Sequence, residues 1–207
     1  QIASWKSAPA LACGNTMVFK PAELTPLSAG KLAEIMIEAG VPAGVFNVVH
    51  GEAEVGQMLT KHPKIKKISF TGEVETGRKI MADCAGTLKR ITMELGGKSP
   101  LVIFEDADIE TAANTAMAAN FFTQGEVCTN GTRVYVHKSV REALLERLSD
   151  KLERARLGDP LQPETNVGAL ISKEHYEKVQ GYYKHVEERG FRTISGGSLP
   201  THGGRRA

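Results

Sequence analysis

Three observations predict an α/β fold, an open parallel sheet flanked by helices. Short apolar runs rich in β-branched and aromatic residues alternate with longer segments of helical periodicity, so a crossover helix separates each strand from the next. Gly or polar turns punctuate the alternation. The 207-residue chain is 41% hydrophobic and 24% charged, an ordinary globular mix able to bury a sizeable core. That balance argues against a disordered chain, a collagen or a coiled coil.

Residues 16–19 are the first short strand. Thr25-Pro26 then opens a helix, Thr suiting the N-cap and Pro the first helical position. Leu32, Ile35, Met36 and Ala39 line one face of it, and Gly40 stops it. A strand at 45–49 and a helix near 54–60 follow. Next come a strand at 65–70, a Thr71-Gly72 turn, a helix at 74–85 and a strand at 88–94. Gly96-Gly97-Lys98 breaks the pattern and marks a domain boundary. Beyond it lie a strand at 101–104, a helix at 108–122 with small Ala112, Ala116 and Ala119, and a strand at 133–136. Ser139 and Glu142 have capping-box spacing, and Leu144, Leu145, Leu148 and Leu152 form the buried stripe of the helix they open. Ser172 caps a last helix carrying Tyr176, Val179, Tyr183 and Val186. The chain starts without Met inside a helical segment and closes on a polar, Gly-rich tail, so both ends read as cut.

Charge and cysteine usage exclude several classes of function. The formal net charge is +2, which supplies no electrostatic reason to expect nucleic acid or an anionic membrane. No apolar run approaches the ~18 residues a spanning helix needs, and no signal peptide is visible. Cys13, Cys84 and Cys128 are odd in number, far apart and without a CxxC pair. A disulfide framework or zinc site is therefore not expected, and a reducing, cytoplasmic setting is. Trp5 reads as packing, Tyr182-Tyr183 as helix surface plus core, and His137 and His175 as surface or capping residues. Arg205-Arg206 reads as a solvated end, and Cys13 and Cys84 as buried or inert.

Four segments can carry chemistry. Cys128 sits in a polar turn between Gly125 and Gly131, where backbone can approach the sulfur and N–H groups can stabilise an oxyanion. Its thiolate would be a strong nucleophile; an inert small hydrophobe is the open alternative. Glu94 closes a strand and faces a Gly-Gly loop, where open α/β sheets bind ligands. Partial burial there would raise its pKa and suit it to general-base work; a solvated strand-end Glu is the alternative. Lys20 and Glu23 follow the first strand and can hydrogen-bond sugar hydroxyls, or stand as plain loop charges. Gly72 leads from a strand into a helix start, a phosphate-binding geometry, although it is not GxGxxG and Glu73 and Glu75 would repel phosphate unless turned away.

Together the four segments resemble the NAD(P)-dependent aldehyde dehydrogenase family, from Gln1 to about Gly197. The pair Met93-Glu94-Leu95-Gly96-Gly97-Lys98-Ser99-Pro100 and Gln124-Gly125-Glu126-Val127-Cys128, at this separation, carries the resemblance. Within the family, residues 119–133 and 5–11 are most similar to the branch acting on betaine aldehyde, with a trimethylaminobutyraldehyde branch second. The resemblance implies a Rossmann-like cofactor domain followed by an α/β catalytic domain. Residues 1–96 would be the C-terminal portion of the first, 97–197 the N-terminal portion of the second, and 198–207 an irregular tail. It implies Cys128 as the nucleophile, Glu94 as the base that activates water, and Lys6 as a proton-relay lysine. It implies NAD held by Lys20, Pro21, Ala22 and Glu23 at the ribose, with Glu23 favouring NAD over NADP. Gly72, Glu73, Val74, Glu75 and Thr76 would lie beside the pyrophosphate, and Gly96 near the nicotinamide. A potassium ion would be held through the backbone carbonyls of Leu24 and Leu88. A small-molecule aldehyde is the implied substrate, and a homo-oligomer, dimer or tetramer, the implied assembly.

The chain also departs from the pattern. Glu73 stands where many members carry Ser, and the oxyanion-hole Asn of the family falls upstream of Gln1. An NAD-binding module without turnover is therefore a second expectation for this chain alone. A purely structural α/β domain is a third.

Overall fold

The computed structural model describes residues 1–197 and, beyond them, only the backbone of Thr201–His202 and Arg205–Arg206, which pair antiparallel. The rest of the expected irregular tail lies outside the described residues. The chain divides into two compact units, Gln1–Gly96 and Gly97–Ala207.

The first unit is built on two parallel strand pairs. β1 (Met17–Phe19) pairs with β2 (Phe46–Val48), and β3 (Lys67–Gly72) with β4 (Arg90–Leu95). Helices α1 (Ile2–Ala12), α2 (Leu27–Glu38), α3 (Ala53–Lys61) and α4 (Val74–Ala85) alternate with them. Stacked Phe19 and Phe46 rings, 6.2 Å between centroids, tie the first pair together on one face.

The β3–β4 ladder has two chemically different faces. Its register sets Ser69 beside Thr92 and Thr71 beside Glu94, with Lys67 beside Arg90. Side chains alternate along each strand, so all six share one polar face. The other face carries Ile68, Phe70, Ile91, Met93 and Leu95. There α4 lies close: a Cβ on Gly77 would come within 3.0 Å of Leu95, so glycine lets helix and strand approach. Helix α3 packs on α4 through polar groups, with Thr60 Oγ1 donating to Asp83 Oδ2 at 2.8 Å. Lys89 Nζ donates to the His62 carbonyl at 2.8 Å.

In α1 the inward residues are Ala3, Lys6, Ser7, Ala10 and Leu11, a 3.6-residue stripe. Trp5 falls on the opposite side and is 61% exposed, so the expectation that it packs is corrected. Thr25 does not cap α2; Pro26 occupies the cap position and no side chain donates or accepts there. Gly40 does end that helix, at φ +88°. The α2 stripe is only partly covered: Leu32 and Met36 are half-buried, while Ile35 and Ala39 are exposed. The strand expected from residue 88 begins instead at Arg90, because Leu88 takes a left-handed φ of 48° that no strand accommodates.

The second unit pairs β5 (Pro100–Ile103) with β6 (Arg133–Val136) in parallel, connected through α5 (Ile109–Phe121). Helix α6 (Arg141–Glu153) packs on α5, and α7 (Lys173–Glu188) follows. Ile103, Ala112, Ala113 and Leu144 form the core, with Leu101, Val136 and Leu148 packed against it. The alanines of α5 bring α6 close enough for Leu144 to be only 1% exposed. Asp108 caps α5 by accepting from the Thr111 N–H at 2.8 Å, and Ser172 caps α7 in the same way from His175. The Ser139–Glu142 capping box does not form. Val140 takes the cap position, Ser139 bonds the His137 ring, and Glu142 pairs with Arg141. Tyr183, placed inward by periodicity, is exposed.

Leu144→Ala is expected to destabilise the second unit by about 2–5 kcal/mol, the range for removing a closely packed core leucine. Urea unfolding followed by circular dichroism measures it.

Candidate active site

The candidate ribose, pyrophosphate and base residues of the first unit lie at or just beyond the carboxyl ends of β1, β3 and β4, where open α/β sheets bind ligands; Lys6 comes from α1. Lys20 follows β1. Its ammonium donates to the carbonyls of Gly51, at 2.8 Å, and Pro21, at 3.0 Å, and lies 3.7 Å from Glu23. The stem rests on Gly56 in the first turns of α3. Pro21 is buried, while Ala22 and Glu23 are exposed, leaving the Glu23 carboxylate as an open acceptor.

The expected Thr71-Gly72 turn is instead the end of β3, paired with Glu94 and Leu95; there Gly72 is overlain by the Phe70 ring, and a Cβ would sit 2.6 Å from the ring carbon, so only glycine leaves the ring in place. Glu73 takes the cap position of α4 without a side-chain cap, and Val74, Glu75 and Thr76 form an exposed first turn. Arg78 holds the Glu75 carboxylate in an ion pair at 2.5 Å, neutralising one of the two acids that would oppose a phosphate.

Glu94 and Gly96 are exposed, which corrects the expectation that Glu94 is partly buried. The pleat explains it: Glu94 belongs to the polar face of the ladder, opposite α4. Lys6 reaches over that face, donating to Ser69 Oγ at 2.8 Å. Burial holds the Lys6 ammonium below the ordinary lysine range, with the Glu94 charge pulling the other way and Lys67 adding to the depression.

Leu24 and Leu88 stand in separate loops, both strongly exposed. Among the described residues no group of three or more His, Cys, Asp or Glu side chains could hold a metal. The left-handed Leu88 backbone is the one structural peculiarity at the expected potassium positions.

In the second unit Cys128 is exposed on a loop of unusual construction. The chain leaves α5 through a 3₁₀ turn, Phe122–Gly125, and Thr123, Gln124 and Gly125 take left-handed φ values of 53°, 53° and 77° in succession. A β-branched residue in that region is strained, and the strain must be held by neighbours. Two asparagine amides hold it. Asn130, 5% exposed, donates to the Gly125 carbonyl at 2.7 Å. Asn120 bridges the Ala116 and Gly131 carbonyls at 2.9 and 3.2 Å. Glycine is required at Gly125 and gives close approach at Gly97. A Cβ on Gly125 would lie 2.7 Å from the Asn120 carbonyl oxygen, and one on Gly97 3.0 Å from that of Cys128. His175 Nε2 meets Glu126 Oε1 at 2.9 Å, tying α7 to the loop; the histidine read as surface or cap is half-buried, and the cap is Ser172, which accepts from the His175 N–H. Sequence reasoning missed Asn120, Asn130 and His175 as supports. Their only signal was two asparagines on either side of a Gly-flanked turn.

The other thiols differ. Cys84 is buried, and burial pushes its thiol up. Cys13 is exposed, so of the expected buried or inert residue the buried alternative does not hold. It follows the end of α1, where it is only the cap residue.

Comparison with known proteins shows the family. The aldehyde dehydrogenase family profile matches residues 1–206. The chain belongs to the aldehyde dehydrogenase family. It is 59% identical over 204 residues to betaine aldehyde dehydrogenase of Vibrio vulnificus, covering 99% of this chain and 42% of that protein. A putative aldehyde dehydrogenase from Burkholderia cenocepacia has a TM-score of 0.95 at 44% identity, covering 98% of this chain and 42% of the other. Betaine aldehyde dehydrogenase of Staphylococcus aureus in complex with NAD+ has a TM-score of 0.92 at 38% identity, covering 97% and 40%. The chain thus spans less than half the length of these relatives. No helix among the described residues is long and apolar enough to cross a membrane.

Two outcomes test the loop. Iodoacetamide is expected to label Cys128 first, Cys13 next and Cys84 only on unfolding, as read by peptide mass spectrometry. Faster labelling at Cys13 would count against Cys128 as the nucleophile. Asn130→Ala is expected to cost about 1 kcal/mol, because it strands the half-buried Gly125 carbonyl. It should raise hydrogen exchange at the amides of residues 126–130 while leaving α6 protected.

Proposed function

We propose that this chain is the cofactor and nucleophile portion of an NAD-dependent aldehyde dehydrogenase that oxidises betaine aldehyde to glycine betaine. One observation carries the reading: an exposed cysteine on a strained loop braced by buried amides, in a chain so close to a betaine aldehyde dehydrogenase along nearly its whole length.

The residues divide the work. Cys128 Sγ, as thiolate, attacks the aldehyde carbon and forms a thiohemiacetal. Bound NAD would supply the hydride acceptor that converts this adduct to a thioester. Lys20 and Glu23 fit the ribose hydroxyls, one as donor and one as acceptor, and a carboxylate at Glu23 disfavours a 2′-phosphate. The start of α4 at Gly72, Glu73, Val74, Glu75 and Thr76 fits the pyrophosphate, with Glu75 neutralised by Arg78. Gly96 leaves room for the nicotinamide. Glu94 takes a proton from water, the resulting hydroxide attacks the thioester carbonyl, and the acid leaves as the thiolate returns. Lys6 handles protons beside Glu94. Potassium at Leu24 and Leu88 and a homo-oligomeric, cytoplasmic enzyme complete the proposal on resemblance alone. A 4-trimethylaminobutyraldehyde is the alternative substrate. For the chain by itself, binding NAD without turnover is the second reading, favoured by its 42% span of the Vibrio relative.

A longer protein that adds the segments of the relatives on both sides is expected to reduce NAD with betaine aldehyde. Cys128→Ala should abolish the reaction. Glu94→Gln should release product at least ~10²-fold more slowly, as expected for loss of a general base, and accumulate an acyl adduct on Cys128 visible by intact mass. Full turnover by that variant would exclude Glu94 as the base.

A further inference from the structure

The polar face of the β3–β4 ladder contains more than the proposed base. From the carboxyl end it presents Glu94 with Thr71, then Ser69 with Thr92, then Lys67 with Arg90. Lys6 enters from α1 and bonds to the middle step at 2.8 Å, not to the acid at the end. Residues two apart on one strand face are separated by about 6.6 Å, so the acid stands one step beyond the ammonium. The Glu94 charge nevertheless acts on Lys6.

This placement matters because a carboxylate in contact with an ammonium is a poor base: the ion pair stabilises its charged form. We propose that the Ser69 hydroxyl is a holding position for Lys6, keeping its ammonium one ladder step back from Glu94 so that the carboxylate stays free to take a proton. Ser69 is thus a positioning residue, acting through Lys6. Its functional meaning rests on Glu94 as the base; the geometry does not. Two other charges bear on the step: Lys67 repels Lys6 from the amino end of the ladder, and Glu94 attracts it toward the carboxyl end. Without a hydroxyl at position 69 the net pull is toward Glu94.

The test is a titration of Lys6 in the chain as it stands. Lysines carrying ¹³C-dimethyl labels are followed by NMR, with the Lys6 signal assigned through Lys6→Arg. Ser69→Ala is expected to raise the Lys6 midpoint by about one unit as the ammonium closes on the carboxylate. The rise should vanish in the Ser69→Ala/Glu94→Gln double variant. Ser69→Thr, which restores the hydroxyl, should titrate as the parent does. Ser69→Val, which keeps a strand-forming shape, should repeat the alanine result if Ser69→Ala folds poorly. A Lys6 midpoint that falls or stays put on losing the hydroxyl, or that rises equally with glutamine at 94, overturns the proposal. Turnover by Glu94→Gln in the longer protein would instead remove the base and leave the titration result standing.

Discussion

The two-residue pleat of the β3–β4 ladder is the constraint on which the first unit depends. One face must be apolar because α4 lies on it at glycine distance, with Gly77 against Leu95. The alternate residues then have no choice of side, and everything polar in the two strands is delivered to the opposite face. Glu94 is exposed for the same reason that Met93 and Leu95 are covered. A one-residue slip of register would exchange the two sets and bury a carboxylate under α4, so packing and chemistry are enforced by a single alignment.

Much of this was legible in the residues. Alternation in Lys67-Ile68-Ser69-Phe70 and Arg90-Ile91-Thr92-Met93-Glu94 marks strands, and the Gly-Gly break at Gly96-Gly97 falls where the two compact units part. Helix α4 runs over the expected 74–85 span, starting directly after the strand that ends at Gly72. What could not be read was local competition among polar groups. Ser139 had capping spacing, yet the His137 ring is nearer to its hydroxyl than any helix N–H. Thr25 lost its cap to Pro26 in the same way, since a fixed proline φ already supplies the helical entry. Trp5 was placed by its size, whereas the stripe that covers α1 runs through small residues and the stem of Lys6.

The loop that bears Cys128 follows a different logic. No periodicity predicts three consecutive left-handed residues, because two of them, Thr123 and Gln124, are not glycine and are unfavourable there. Thr123 and Gln124 cost of order 1–3 kcal/mol each by their backbone conformation. Opposing that cost are the carbonyls of Gly125 and Gly131, both satisfied by buried or half-buried asparagine amides. The sulfur is exposed while the amides that shape its loop are not. Such a division keeps a thiol accessible without leaving its backbone free to relax.

Amide chemistry also explains why the two supports are asparagines. Both meet backbone carbonyls, which only accept, so each position needs a side chain that donates without carrying a charge. A carboxylate would set oxygen against oxygen at the 2.7 Å contact between Asn130 and Gly125. A lysine would donate but would bring an ammonium into a site that is 5% exposed, where a charge is costly to bury. Asparagine is the short neutral donor that remains. The first unit uses a neutral partner as well: there the Lys6 ammonium donates to the Ser69 hydroxyl at 2.8 Å. In both units the group that fixes a donor or a carbonyl in place is uncharged, so neither contact adds a charge to its surroundings.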